Sequence, residues 1–305
     1  MSLRPILLAI VGDSAAGKST LGDGISALLG DNCVTVVTTD DYHKHNRKAR
    51  RELRISALHP DCNDLQLLGE HLDQLAAGNA VRKAPYNHAT GDFDAPREIA
   101  PAEFLIVEGL LGLYSLALRD RYDVSVYLDT PEALRHRWKL SRDTAKRGYS
   151  ERQVQDLLER REEVSETYIR PQRDHADLVV RFRPGPKAID DTKLHATVAM
   201  RDAVRHPALR EVLEQSPLAA ARLRLRKQGV GAVLEIDGRI SDAETAQAEQ
   251  ALMRQRPELQ HILQRRRTGQ FMTNATQRHS NALGLAQLLI AYPVISAKLA
   301  RGDAV

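Results

Sequence analysis

The stretch GDSAAGKS, residues 12–19, constrains this chain more than any other. It has the form G-x-x-x-x-G-K-[ST] and sits where that form has a physical meaning. The apolar run PILLAIVG (5–12) precedes it and reads as a buried strand. KSTLGDGISALLG (18–30) follows and reads as a helix ended by Gly30. Small residues between a strand and a helix let successive backbone N–H groups and the helix N-terminus wrap a phosphate. Gly12, Asp13, Ser14, Ala15, Ala16, Gly17, Lys18, Ser19 and Thr20 are therefore the expected ATP-binding residues. Lys18 has the reach for the β- and γ-phosphates, and the Ser19 hydroxyl suits Mg²⁺, so ATP and Mg²⁺ are the expected cofactors.

Beyond the loop, apolar runs alternate with helical patterns. CVTVVTTD (33–40), EFLIVEG (103–109), VSVYLDT (124–130) and ADLVVRF (176–182) read as strands. A helix over 62–79 is capped at Asn63 or Asp64, and two more are expected around 131–147 and 150–169. This rhythm predicts an α/β fold with a mixed, mainly parallel sheet flanked by helices. Such sheets bind ligands beyond the carboxyl ends of their strands. RPGPKAIDD (183–191) has the composition of a connection, so residues 1–186 are expected to form a core and 187–305 a C-terminal extension packed on the same sheet. The extension reads as a mixed helical stretch, a strand pair or a strand and turn over 229–240, then helices around 242–255 and 282–301.

A chain of 305 residues that is 42% hydrophobic can bury a substantial core. Its net charge of +4 is a small surplus of 44 basic over 40 acidic residues, too weak to imply nucleic-acid binding. The basic stretches RLRLRK (222–227) and QRRRTG (264–269) read as solvated helix faces. Two cysteines, Cys33 and Cys62, make no disulfide framework and fit a reducing cytoplasm as buried thiols. No run approaches 18 apolar residues, so no membrane span is expected, and the apolar start leads into the glycine loop rather than a cleavage site.

The loop names the cofactor and leaves the reaction open. Transfer to an alcohol needs a base for the hydroxyl proton, and Asp40, at the end of the second strand, is placed for that task. Glu108 ends FLIVE at the same rim and is the expected metal-linked acid. Lys139, Arg142, Arg147 and Arg161 lie on or beside helices and suit a lid closing on phosphates. The polar segment KAPYNHATGDFD (83–94) offers Tyr86 and His88 to a sugar's hydroxyls.

Taken together, GDSAAGKST, TTDDYHKHNR, LHPDCNDLQLL, PYNHATG, LIVEGLLGLY, VYLD, WKLSRDTAKRG and YIRPQ resemble the phosphoribulokinases, in the branch of plants and cyanobacteria. VLEIDGRI (233–240) and SNALGLAQLLIAY (280–292) extend the likeness into the tail. The resemblance implies a P-loop kinase fold and ATP-dependent phosphorylation of the 1-hydroxyl of D-ribulose 5-phosphate. It implies Asp40 as base, Glu108 as metal-linked acid, and His43 and Arg47 as holders of the sugar phosphate. Tyr86 and His88 fall in the substrate segment. Lys139, Arg142 and Asp143 fall on charged catalytic positions, with Arg147 on the ATP side and Arg161 on the substrate side. A homodimer is implied as well; the expected cytoplasmic location and the absence of nucleic-acid and membrane partners rest instead on the two cysteines, the small charge surplus and the lack of a long apolar run.

The chain departs from the plant pattern where plant enzymes carry their regulatory thiol pair: those positions are Ala16 and Thr38. The tail pair is missing too, which predicts insensitivity to thioredoxin-type oxidation and leaves the pathway open. Two other readings stand beside the main one. A uridine kinase-like enzyme shares the loop and the Asp after the second strand, and a nucleotide-dependent binding or regulatory protein would keep the fold without the chemistry.

Overall fold

The computed structural model describes residues 4–185, 190–201, 223–228, 231–255, 257, 268–273 and 276–301. They group into two compact units, each drawn from several stretches of chain. One comprises Met1–Lys18, Val34–Ser125 and Glu132–His175; the other comprises Ser19–Cys33, Val126–Pro131 and Ala176–Val305.

In the first unit, strands β1 (Ile6–Gly12), β2 (Val34–Thr38) and β7 (Phe104–Gly109) run parallel in the order β1-β7-β2. Every residue of β1 is buried, as the unbroken apolar run requires of a parallel strand covered on both faces. Each fully buried Leu or Ile there contributes about 1.5–3 kcal/mol of transfer free energy. Between β2 and β7 lie helices α2 (Arg47–Glu52) and α3 (Leu65–Ala76) and two small antiparallel pairs: β3 (Val81–Lys83) with β6 (Arg97–Ile99), and β4 (Tyr86–Asn87) with β5 (Asp92–Phe93). Asp64 caps α3, accepting from the Leu67 N–H at 3.0 Å. Helices α4 (Leu116–Arg119), α5 (Glu132–Arg147) and α6 (Glu151–Val164) follow, and α6 opens on a Ser150/Gln153 capping box. A single π-helical turn, Ser165–Ile169, continues α6.

In the second unit, β8 (Val124–Leu128, its last three residues here) pairs parallel with β9 (Leu178–Arg183). β10 (His195–Met200), β11 (Leu223–Gln228) and β12 (Gly231–Ile236) then add antiparallel strands in the order β11-β12-β10-β9-β8. Helix α1 (Lys18–Leu29) lies in this unit from Ser19 onward, together with helices Asp242–Gln255 and Asn281–Ala300 and the hairpin of β13 (Gln270–Thr273) and β14 (Thr276–His279). The α/β class is as expected: parallel core strands mixed with antiparallel ones and flanked by helices.

Several expectations change. RLRLRK belongs to strand β11 over 223–227, because its apolar–basic alternation has period 2, the strand period, and not the helical one. Within the stretch read as helical, 195–200 is also a strand, while 202–222 and residues 264–267 of QRRRTG lie outside the described residues. Helix Asn281–Ala300 is long and apolar enough to cross a membrane by length and composition, at a mean hydropathy of 1.5; 83% of that window is buried in the fold, so it serves as a core helix. Cys62 is buried, whereas Cys33 is only half-buried.

Candidate active site

The glycine loop forms the cradle its sequence demands. Ala15 and Gly17 both take positive φ, 63° and 97°, turning successive N–H groups to one side. Lys18 Nζ donates to the carbonyls of Gly12 and Asp13 at 3.0 and 2.8 Å, which holds the ammonium at the loop's mouth. Burial pushes the Lys18 pKa down, against the pull of Asp40, Glu108 and Asp13. Asp13 faces inward. Its carboxylate accepts from the Ser14 N–H at 2.6 Å and from the Ser165 hydroxyl, and it lies 3.4 Å from Arg135 Nη2. Asp13 thereby pins the loop to the π turn after α6. Ser19 and Thr20 are the second and third residues of α1, and Ser19 is exposed there.

Asp40 comes to the site on a 3₁₀ turn, Thr39–Tyr42, directly after β2. That turn approaches β7 closely because residue 109 is glycine: a Cβ there would fall 1.7 Å from Thr39 Oγ1. The Leu110 N–H donates to the same hydroxyl at 3.2 Å. The register pairs Thr38 with Glu108 and Ile10 with Glu108, so both carboxylates stand at the carboxyl ends of neighbouring strands, where the sequence placed them. His88 Nε2 lies 3.2 Å from Asp40 Oδ2. Burial alone would raise the Asp40 pKa. The His88 hydrogen bond and the charges of His43, His88 and Lys18 outweigh it and hold the group well below the ordinary carboxylate range.

Around Asp40 the expected acceptor residues converge. His43 is buried and its Nδ1 lies 2.7 Å from Asn63 Oδ1. Asn63 is fixed in turn by donating to the carbonyls of Ala57 and His59 at 3.0 and 2.8 Å. Burial, then Arg50, lower the His43 pKa against the attraction of Asp40. The Tyr86 ring makes edge contacts with His43 and His88, at 5.0 and 5.1 Å between centroids. Arg47 donates to the His88 carbonyl, and its guanidinium lies 5.8 Å from the Tyr149 ring centroid.

On α5, Asp143 gathers the cations. Lys139 Nζ, Arg142 Nε and Arg147 Nη1 approach it at 3.1, 2.8 and 3.4 Å, with Lys139 and Asp143 both buried. Burial, then Arg161, push the Lys139 pKa down to about 8. Arg161 is likewise lowered, first by burial and then by Arg50, while Asp143 and Asp40 pull the other way. Arg142 Nη2 is buried and has no hydrogen-bond partner among the described residues, a donor suited to an anionic oxygen. The Glu108 carboxylate and the Ser19 hydroxyl are each, by their chemistry, hard oxygen ligands of the kind that Mg²⁺ takes.

Two parts of this arrangement escaped sequence reasoning. Asp41 pairs with buried Lys83 and accepts the Tyr86 N–H at 2.7 Å, anchoring the hairpin that bears Tyr86. Arg50 donates to the Tyr86 hydroxyl and lies over that ring at 5.0 Å. Its one sequence signal is the three-residue spacing from Arg47, which places both on one side of α2.

The sequence pattern of the Phosphoribulokinase / Uridine kinase family matches residues 7–187, more than half of the chain. The chain belongs to this family. Within it, phosphoribulokinase of Synechocystis sp. is 35% identical over 181 residues, covering 59% of this chain and 54% of its own length. Chloroplastic phosphoribulokinase of Arabidopsis thaliana is 32% identical over 221 residues, 66% of this chain and 56% of its own. Uridine kinase of Clostridium novyi is 30% identical over 184 residues, 58% of this chain and 88% of its own. The chain thus spans about half the length of the curated phosphoribulokinases it matches. Among solved structures, phosphoribulokinase from Rhodobacter spheroides shares the fold, with a TM-score of 0.58 at 17% identity, over 83% of this chain and 99% of its own.

Proposed function

We propose that the chain transfers the γ-phosphoryl group of ATP to the 1-hydroxyl of D-ribulose 5-phosphate, giving ribulose 1,5-bisphosphate and ADP. The observation that carries this reading is the gathering of basic groups around two carboxylates: His88 lies 3.2 Å from Asp40, and Lys139, Arg142 and Arg147 gather on Asp143. Donor and acceptor are then both anionic, and several cations are needed to offset their repulsion and the charge on the moving group.

In this reading Asp40 takes the proton from O1 as the new O1–phosphorus bond forms and the bond to the β-phosphate oxygen breaks. Its low pKa keeps it ionised before transfer. His88 orients the carboxylate. His43, Arg47 and Arg50 hold the 5-phosphate, Tyr86 lines the sugar, and Arg161 adds its charge on the acceptor side. Lys18 and the loop amides take the β- and γ-phosphates, and Arg142 and Arg147 close on them, oriented by Asp143 together with Lys139. Mg²⁺ would add neutralising charge to the phosphate oxygens, and the Glu108 carboxylate would be a ligand for it. The reading also carries a cytoplasmic homodimer.

A uridine kinase-like reaction is favoured by the 88% coverage of the Clostridium novyi enzyme. A neutral nucleoside, however, leaves the group of His43, Arg47 and Arg50 without an anion to bind. The test is Arg47→Met. It is expected to raise the KM for ribulose 5-phosphate about tenfold or more, as for a lost charge-assisted contact, and to leave the KM for ATP within twofold. An unchanged acceptor KM would refute the assignment of the phosphate site.

A further inference from the structure

Helix Asn281–Ala300 is apolar along most of its length, yet Gln287 near its middle is fully buried. Both ends of its amide are used. Oε1 accepts from the Gly269 N–H at 2.8 Å, and Nε2 donates to the Thr20 carbonyl at 3.2 Å. Thr20 lies two residues past Lys18, in the first turn of α1. Gly24, one turn further, makes the contact possible: a Cβ there would fall 1.9 Å from Gln287 Nε2 and 2.2 Å from its Cδ. Gly269 is fixed on its other side, where its carbonyl accepts the Ser280 N–H at 2.8 Å.

A buried amide with both groups satisfied gains back little more than its desolvation costs. A Leu or Met at this position would hold the helix equally well by packing. What the amide adds is direction. The second lone pair of the Thr20 carbonyl, beyond the one used inside the helix, receives a fixed donor from the C-terminal helix. The first turn of α1 also carries the Ser19 hydroxyl and the N–H groups that face a bound phosphate, so its position sets their geometry.

We infer that Gln287 is a positioning residue for the nucleotide, holding the first turn of α1 against the C-terminal helix and the 268–269 turn. This rests on the ATP reading above, and it gives the tail a part in catalysis although it contributes no group that touches substrate.

The test is equilibrium binding of a fluorescent ATP analogue with Mg²⁺, alongside melting temperature, for the unaltered chain, Gln287→Met, Gly24→Ala and the double variant. Gly24→Ala displaces the same amide from the opposite side while improving helix propensity, so it carries the test should Gln287→Met fold poorly. Each single variant is expected to weaken binding about fivefold, the worth of one net hydrogen bond. The double variant is expected to weaken it by about the same factor, because both changes break one contact. The KM for the acceptor stays unchanged. Equal binding by all four proteins, with only melting temperature altered, would show a purely structural role and overturn the inference. Failure of the unaltered chain to bind the analogue would overturn the ATP reading itself, and this inference with it.

Discussion

Replacing Lys83 by Met removes one partner of a buried ion pair beneath the acceptor residues. The Lys83 and Asp41 side chains are 4% and 9% exposed, and Lys83 Nζ also donates to the Thr38 carbonyl at 3.4 Å. After the substitution, Asp41 keeps its charge and one donor, the Tyr86 N–H. Breaking a buried pair from one side costs about 3–5 kcal/mol, since the surviving charge is neither solvated nor paired. At about 2–4 °C per kcal/mol for a unit of this size, the melting temperature should fall by about 6 °C or more, read by thermal denaturation followed by circular dichroism. Adding Asp41→Asn leaves an acceptor for the Tyr86 N–H and removes the stranded charge. The double variant should therefore recover about half of the loss or more. The acceptor KM should rise in the single variant, because the hairpin bearing Tyr86 and His88 is tethered at this point, while the KM for ATP should hold. A single-variant cost below about 1 kcal/mol, or a double variant no more stable than the single, would refute the reasoning.

Two further outcomes follow from the site. Lys139 has its pKa pushed down to about 8, so the basic limb of kcat/KM should fall as pH rises through about 8, and Lys139→Arg should move that limb upward. Stability should move the opposite way: between about 8 and the unfolded value near 10.5 the unfolded chain binds the extra proton, so the folded state gains as pH rises. Melting temperatures that fall across that window would contradict this. Secondly, with Ala16 and Thr38 at the positions of the plant thiol pair, oxidised thioredoxin or diamide should leave activity within twofold; loss under oxidant and recovery with dithiol would sink that expectation.

Much of the fold was legible because buried parallel strands are written as unbroken apolar runs. ILLAIVG, FLIVEG and VSVYL are strands within a residue or two of where those runs begin and end. The positions of Asp40, Glu108 and Lys18 in the fold were legible for a related reason, since strand ends and a glycine loop have fixed places in such a sheet. Other features depend on contacts that only folding creates. Asp41 meets a lysine 42 residues away, and nothing local separates its role from that of Asp40 beside it. Gln287 meets a carbonyl 267 residues away. The Leu-Arg alternation of β11 was legible in principle, but its charges drew attention from its period. In helix Asn281–Ala300, Gln287 and Lys298 interrupt the apolar run, which concealed how deeply most of the helix, residues 282–295, is buried.

The most direct measurement is ADP formation with Mg²⁺ and ATP, comparing ribulose 5-phosphate, ribose 5-phosphate, uridine and no acceptor, in the unaltered chain and in Asp40→Asn. The account predicts turnover with ribulose 5-phosphate alone, reduced about a hundredfold or more in the variant, as loss of a positioned base requires. Turnover with uridine in preference to the sugar phosphate, or an Asp40→Asn protein as active as the unaltered chain, would contradict it.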